Sequence, residues 1–156
     1  MIRIPALSSL LLLLALFTGQ AAADSPFAVY KSESPHADVM DALKMAIEEN
    51  GMYINNVMHM SEMLDRTGKD LGMDEKLYDH AESVEFCSAI LSRKMTRENP
   101  ARIVNCPFII SVYTLPNEPD TTYIVHRKIW IGDSEGAMQE VAAMLKSLGE
   151  AAAEGF

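Results

Sequence analysis

The pattern of apolar and polar residues after position 26 predicts one strand followed by one helix. Residues 27–31, FAVYK, alternate weakly between apolar and polar side chains, as a half-buried strand does. Ser34 and Pro35 are residue types that commonly begin a helix, at the N-cap and at the first helical position. Helical spacing then relates Val39, Met40, Leu43, Ala46 and Ile47. Asn50 and Gly51 predict the end of this helix.

The middle of the chain predicts two more strands, each followed by a helix. In residues 52–60, MYINNVMHM, alternation divides the apolar residues between two faces, with Met52, Ile54, Met58 and Met60 on one and Tyr53, Val57 and His59 on the other. A short helix over residues 61–71 is then closed by Gly72. In residues 84–95, VEFCSAILSRKM, a strand ends near Cys87 and a helix begins near Ser88, to be broken at residues 98–100.

The last third predicts a hairpin and a final helix. Residues 109–115 and 122–131 are rich in branched and aromatic side chains and are separated by PNEPD, which is typical of a hairpin with a longer turn. From residue 134 onward one apolar stripe contains Met138, Val141, Ala142, Leu145 and Leu148. Strands that pair largely as hairpins, with helices between them, predict a two-layer α+β domain in which helices cover a mainly antiparallel sheet.

The N-terminal segment is typical of a cleavable secretory signal. It carries one basic residue, Arg3, an apolar stretch over residues 7–17, and small residues up to Ala23. That stretch is too short to cross a bilayer, and no cysteine follows the predicted cleavage site to carry a lipid. We therefore expect residues 1–23 to be removed, leaving residues 24–156 as one soluble domain in the periplasm or outside the cell.

The charge balance argues against two classes of partner. The chain has 13 basic and 22 acidic residues and a formal charge of −9, which becomes −10 when Arg3 is removed with the signal. An acidic surface repels phosphate backbones and anionic headgroups. We therefore expect no nucleic acid partner and no stable membrane anchor.

Three segments resemble a known family. The order of a strand, a helix and the stretches GMYINNVMHM, VEFCSA and NCPFIISVY is similar to the bacterial and archaeal family called domain of unknown function 302, over residues 27–128. The resemblance implies a compact α+β layer of antiparallel strands under helices, followed here by the C-terminal helix. It implies no general activity, because the family has none to transfer.

Two cysteines mark where this chain departs from that family. Cys87 stands where many members have a Gly-Asn-Pro turn, and Cys106 replaces an apolar residue before the shared Pro107. The family fold brings these segments close, which implies a Cys87–Cys106 disulfide. Export, two cysteines and the lack of a C-x-x-C motif also favour a structural disulfide. The alternative is a reactive thiol at Cys87, where backbone N–H groups of a starting helix favour the thiolate.

Methionine and histidine residues suggest a weaker candidate site. Met58, His59, Met60 and Met63 could offer thioether and imidazole ligands to copper or haem. Strand geometry counts against this site, because Met58 and Met60 point away from His59, and methionine commonly fills cores. The remaining histidines at positions 36, 80 and 126 form no spaced metal motif and are interpreted as surface or strand-face residues. We therefore predict no cofactor, with copper or haem as the alternative.

Catalytic motifs are absent from the sequence. There is no G-x-S-x-G elbow, no spaced acid pair and no phosphate-binding loop. The sequence therefore favours an exported, non-enzymatic binding or accessory domain for an unassigned small ligand or protein partner, with homodimerisation left open. The alternatives are a periplasmic redox or metal-handling protein and a structural partner-binding domain.

Overall fold

The computed structural model describes residues 25–129 and 135–155. The predicted signal segment, residues 1–23, lies outside these residues. The elements follow in the order β1 (Phe27–Ser32), α1 (His36–Glu49), β2 (Tyr53–His59), α2 (Met60–Leu71), β3 (His80–Cys87), α3 (Ala89–Glu98), a 3-10 helix (Pro100–Asn105), β4 (Phe108–Leu115), β5 (Glu118–Arg127) and α4 (Ala137–Glu154). In the described residues no helix is long and apolar enough to cross a membrane.

The five strands form one antiparallel sheet in the order β1-β5-β4-β3-β2. Both β2–β3 and β4–β5 are neighbours in sequence and in the sheet, whereas β1 pairs with β5 at the far edge. Helices α1 and α4 pack together on one face of the sheet. The predicted α+β class, a mainly antiparallel sheet covered by helices, is confirmed.

Apolar residues on alternate strand positions build the core beneath α1 and α4. On β4 the buried positions are Phe108, Ile110 and Val112, and on β3 they are Val84 and Phe86. The helices contribute buried side chains at Val39, Leu43, Ile47, Met138, Val141, Leu145 and Leu148. Burial of each large aliphatic side chain contributes about 1.5–3 kcal/mol to folding. The predicted stripe of α4 therefore covers the sheet, although Ala142 at its margin is only half-buried.

Local signals set most element ends. Ser88 caps α3 by accepting a hydrogen bond from the backbone N–H of Leu91, at 3.3 Å. Gly72 ends α2 with φ +70°, in the left-handed region that glycine adopts without a steric cost. Pro35 is the N-cap of α1, one position before its predicted place, and α1 begins at His36.

The predicted faces of β2 are wrong because the strand contains a bulge. The register with β3 shifts between Ile54 and Asn56. The extra residue shifts the alternation by one position, so Ile54 and Val57, which are three residues apart, both pack against the core. Met58 therefore lies on the opposite face, away from Ile54. A strict period of two cannot anticipate a bulge.

Candidate functional site

The face of the sheet turned away from α1 and α4 carries an unusual number of apolar side chains, and we name it the open face. Phe27 on β1 and Ile109 on β4 remain 48% and 45% exposed. Strand register aligns one row across the sheet, consisting of Val29, Val125, Ser111, Ser83 and Met58. Antiparallel sheets with one solvated face normally carry polar residues there. The apolar content of this face therefore indicates that something covers it.

Helix α2 covers only one part of the open face. Its residues Met60 and Leu64 line a cavity of about 220 Å³ together with Ala81, Ser83 and Tyr113 of the sheet. Ala81 and Ser83 are buried although they alternate with the core positions of β3. None of the α2 side chains is fully buried. The helix therefore rests on the sheet and leaves space beneath it.

A larger cleft of about 740 Å³ continues from this cavity. The two share Ser111 and Val125, so they adjoin on the open face, and together we name them the sheet groove. At its wide end the residues on the open face are Phe27, Ile109 and Arg127. The cleft then turns around the strand ends, where its lining includes Pro107, His126, Lys128, Ile129 and Leu145.

Aromatic rings form one side of the groove near α2. The rings of Tyr113 and Tyr123 stack with centroids 5.0 Å apart, and Tyr78 meets Tyr113 edge-on at 5.4 Å. The Nζ atom of Lys31 lies 4.9 Å from the centre of the Tyr123 ring. Burial, with a smaller contribution from Tyr78, raises the pKa of Tyr113 above its ordinary value. The Tyr113 phenol is therefore neutral at physiological pH, and the three rings act as apolar walls with polar tips.

The hydroxyl groups on the groove floor are bonded to each other. Ser83 Oγ and Ser111 Oγ lie 2.7 Å apart. His126 uses its two nitrogens elsewhere: Nδ1 is 2.9 Å from the carbonyl oxygen of Arg127, and Nε2 is 3.2 Å from the Tyr30 hydroxyl. Neither serine is therefore paired with this histidine as a nucleophile is with its base.

A second polar group lies on the helix-covered face, where α1 begins and β2 ends. Glu82 Oε1 is 2.6 Å from His59 Nδ1, and Glu82 Oε2 is 4.0 Å from His36 Nδ1. The His36 ring stacks on His80 with centroids 5.1 Å apart. We name these four residues the imidazole–carboxylate cluster. Sequence spacing gave no sign of it, because its members come from one helix and two strands.

Hydrogen bonding fixes the chemistry of His36 within this cluster. Its Nε2 lies 3.3 Å from the carbonyl oxygen of Val112, so that nitrogen carries the proton and donates it. Burial is the largest effect and lowers the pKa of His36, while the Val112 carbonyl and Glu82 oppose that change. The ring is therefore neutral near pH 7, and its unprotonated Nδ1 faces Glu82.

Of the predicted copper or haem ligands, the structure places His59 apart from Met58. Met58 lies on the open face, whereas His59 bonds Glu82 on the other face. Met60 lines the groove, and Met63 Sδ is 3.9 Å from the Thr67 hydroxyl. Over residues 25–129 and 135–155, no three His, Cys, Asp or Glu side chains are arranged to hold a metal ion.

Both cysteines are free thiols in this structure, so the predicted disulfide is absent from it. Cys106 packs against the core and its Sγ is 3.2 Å from Ser92 Oγ of α3. Cys87 Sγ instead accepts a hydrogen bond from Asn55 Nδ2 at 3.2 Å. Cys87 follows Phe86, a core residue, so alternation points its side chain to the open face. The two sulfur atoms therefore have separate surroundings, and the pairing stays a prediction.

The architecture, an antiparallel sheet with two helices packed on one face and a partly covered groove on the other, places the protein in the α+β class. The family described as "Domain of unknown function DUF302" matches residues 28–153. The chain therefore belongs to the DUF302 family, and the resemblance seen in its motifs is confirmed and extends through α4.

A solved structure supports the same fold. The crystal structure of an uncharacterized conserved DUF302 protein from Bacillus stearothermophilus matches with a TM-score of 0.66 at 15% identity, covering 81% of this chain and 98% of that one. At this identity the likeness concerns the fold alone. No curated protein matches the sequence.

Proposed function

We propose that this protein is an exported, non-enzymatic binding module whose ligand occupies the sheet groove. The observation that carries the proposal is the pair of adjoining cavities beside half-exposed apolar side chains of the open face. Small-molecule sites are concave and mostly apolar, with a few polar groups that orient the ligand. The groove has this character, with Phe27 and Ile109 as apolar surface and Arg127 as a charged group.

Binding is favoured over catalysis by the bonding of the groove's own polar groups. Ser83 and Ser111 satisfy one another, and His126 is held by Tyr30 and a backbone carbonyl. A hydrolytic site needs a nucleophile within reach of its base. The groove instead provides a surface that excludes water from an apolar ligand, which supports the role of a binding or accessory domain.

A fluorescence titration tests the proposal with anilinonaphthalene sulfonate, an apolar dye with one anionic group. We expect the wild-type chain to bind the dye and Ile109→Glu to bind it about tenfold more weakly or worse, a loss of roughly 1.4 kcal/mol. Met45→Glu is the matched control, because Met45 is exposed to a similar degree, at 44%, on α1. Equal losses in both variants, or no binding by the wild-type chain, would contradict the proposal.

Export is tested separately from binding. The soluble protein recovered from the producing cell should begin at Asp24, as read by N-terminal sequencing, because cleavage is expected after Ala23. Recovery of a chain that starts at Met1 in the exported fraction would contradict this part. A protein partner in place of a small ligand would appear as a pull-down that Ile109→Glu abolishes and Met45→Glu preserves.

A further inference from the structure

We infer that the ligand of the sheet groove is an elongated amphipathic anion, with its apolar chain under α2 and its acidic head at Arg127. This inference rests on the proposed function, because it names the class of ligand for the same groove. It follows from the direction, the polarity and the length of the groove.

The groove has one direction because its two cavities adjoin along the sheet. The inner cavity is lined by Met60 and Leu64 of α2, and the outer cleft is lined by Phe27 and Arg127 at the ends of β1 and β5. Ser111 and Val125 lie in both. A ligand that fills the groove therefore passes across the middle of β4 and β5 and has one end under the helix and one end at the rim.

The inner end of the groove is mainly apolar. Its lining includes Met60, Leu64, Tyr78 and Tyr113 together with Glu82, and the two serine hydroxyls on its floor already satisfy each other. Because α2 has no fully buried side chain, its apolar residues still have surface that a ligand chain can cover. At about 220 Å³ the inner cavity suits the end of a chain better than a bulky polar head.

The outer end offers a cation on the open face of an acidic protein. Arg127 is exposed, pairs in register with Phe27 and lines the cleft. The chain as a whole has a formal charge of −9, and this guanidinium lies beside the apolar surface of Phe27. Glu85 is in register with Ile109 and lies on the β3 side of the same face, where its carboxylate repels an acidic head. An acidic head is therefore drawn toward β5 and Arg127.

The length of the groove suits an extended chain. From the row of Lys31 and Tyr123 to the row of Phe27 and Arg127 is four residues along β1 and β5. At about 3.3 Å for each residue this spans about 13 Å. Each methylene that enters the groove should tighten binding about fourfold, until the chain reaches the end beneath α2.

Calorimetric titrations with octanoate, decanoate and dodecanoate, each below its micelle concentration, test the inference on the mature chain. Dodecanol and dodecyltrimethylammonium serve as uncharged and cationic probes with the same chain. We expect affinity to rise with chain length and dodecanoate to bind at least tenfold more tightly than either control amphiphile. Equal affinity for all three heads, or no dependence on chain length, would overturn the inference.

Two variants separate the contributions of head and chain. Arg127→Gln should weaken dodecanoate binding about tenfold and leave dodecanol unchanged, with Arg97→Gln, an exposed arginine on α3, as its control. Leu64→Gln should flatten the dependence on chain length, with Leu71→Gln as its control because Leu71 is 72% exposed on the same helix. A thermal melt of each variant confirms folding. An Arg127→Gln variant that binds dodecanoate normally would overturn the assignment of the head.

Failure of this inference differs from failure of the proposed function. If the dye binds and Ile109→Glu abolishes its binding, but none of the fatty acids binds, the groove is a binding site and the ligand class is wrong. If neither the dye nor any amphiphile binds, both statements are wrong.

Discussion

Glu82 Oε1 lies 2.6 Å from Nδ1 of His59, so a carboxylate on β3 holds an imidazole at the end of the neighbouring strand β2. The Glu82 side chain is 22% exposed and that of His59 is 57% exposed, which places the pair at the rim of the helix-covered face. The same carboxylate faces His36 at the first turn of α1. Glu82 thus links three separate elements where the core meets solvent.

Removing this carboxylate should cost a modest amount of stability. We expect Glu82→Gln to lower the free energy of unfolding by about 1 kcal/mol, because the bond to His59 is charge-assisted but partly exposed. Urea denaturation at pH 7 measures the change. Glu85→Gln on the open face is the matched control, and an equal loss there would show that the contact with His59 has no special role.

Stability should fall as the solution becomes acidic between pH 7.5 and pH 5. Burial is the largest effect that lowers the pKa values of His36 and His126. A histidine whose pKa is lower in the folded state binds more protons when unfolded. Its contribution is fully present above the unfolded pKa, near 6.5, and is lost as pH falls through the folded pKa.

Melting curves across this range check the pH dependence. His126→Gln should reduce it, because the Nδ1–H group of His126 bonds the Arg127 carbonyl and leaves Nε2 to accept from Tyr30, a role that a protonated ring cannot fill. His80→Gln, in the imidazole–carboxylate cluster, is a comparison variant. A wild-type melting midpoint that is higher at pH 5 than at pH 7.5 would contradict the assignment of these two histidines as buried and neutral.

Gly149 in α4 should resist replacement by alanine although alanine favours helices. An added Cβ would lie 2.4 Å from Cε2 of the Tyr30 ring, closer than atoms can approach. We expect Gly149→Ala to lose about 1–3 kcal/mol of stability, measured by chemical denaturation. Ser147→Ala, exposed on the same helix, is the control for helix propensity. Pairing Gly149→Ala with Tyr30→Leu should recover part of the loss, and no recovery would place its cause elsewhere.

The order of elements could be predicted because local signals agree with the fold. Ser88, Gly72 and Asn99-Pro100 each end or begin an element where the sequence indicates. The stripe of α4 follows from helical periodicity alone. The faces of β2 could not be predicted, because a bulge depends on the pairing with β3 and changes the alternation without a residue signature.

The candidate sites depend on tertiary contacts that the sequence hides. His36, His59 and His80 are scattered in the chain and converge only when α1 packs across β2 and β3. The sequence contains one usable signal of the groove. Phe108–Leu115 is apolar on both faces for much of its length, and in an antiparallel sheet such a strand indicates that both faces are covered.

The state of the two cysteines is the remaining prediction. Export and the family resemblance favour a Cys87–Cys106 disulfide. By closing the loop between these residues, the bond would stabilise the fold by about 3 kcal/mol in the chain-entropy model. In the structure, the Cys87 thiol is instead hydrogen-bonded to Asn55 and the Cys106 thiol to Ser92. Formation of the bond therefore requires both thiols to leave these partners.

Mass spectrometry of the exported protein decides between the two states. The disulfide predicts a deficit of two hydrogens and a linked peptide that contains Cys87 and Cys106. It also predicts that Cys87→Ser and Cys106→Ser lose similar stability, because either substitution opens the same loop. Two thiols that react with an alkylating reagent in the native protein would contradict the disulfide. Unequal losses would then be expected, since Cys106 packs against the core whereas Cys87 lies at the end of a strand.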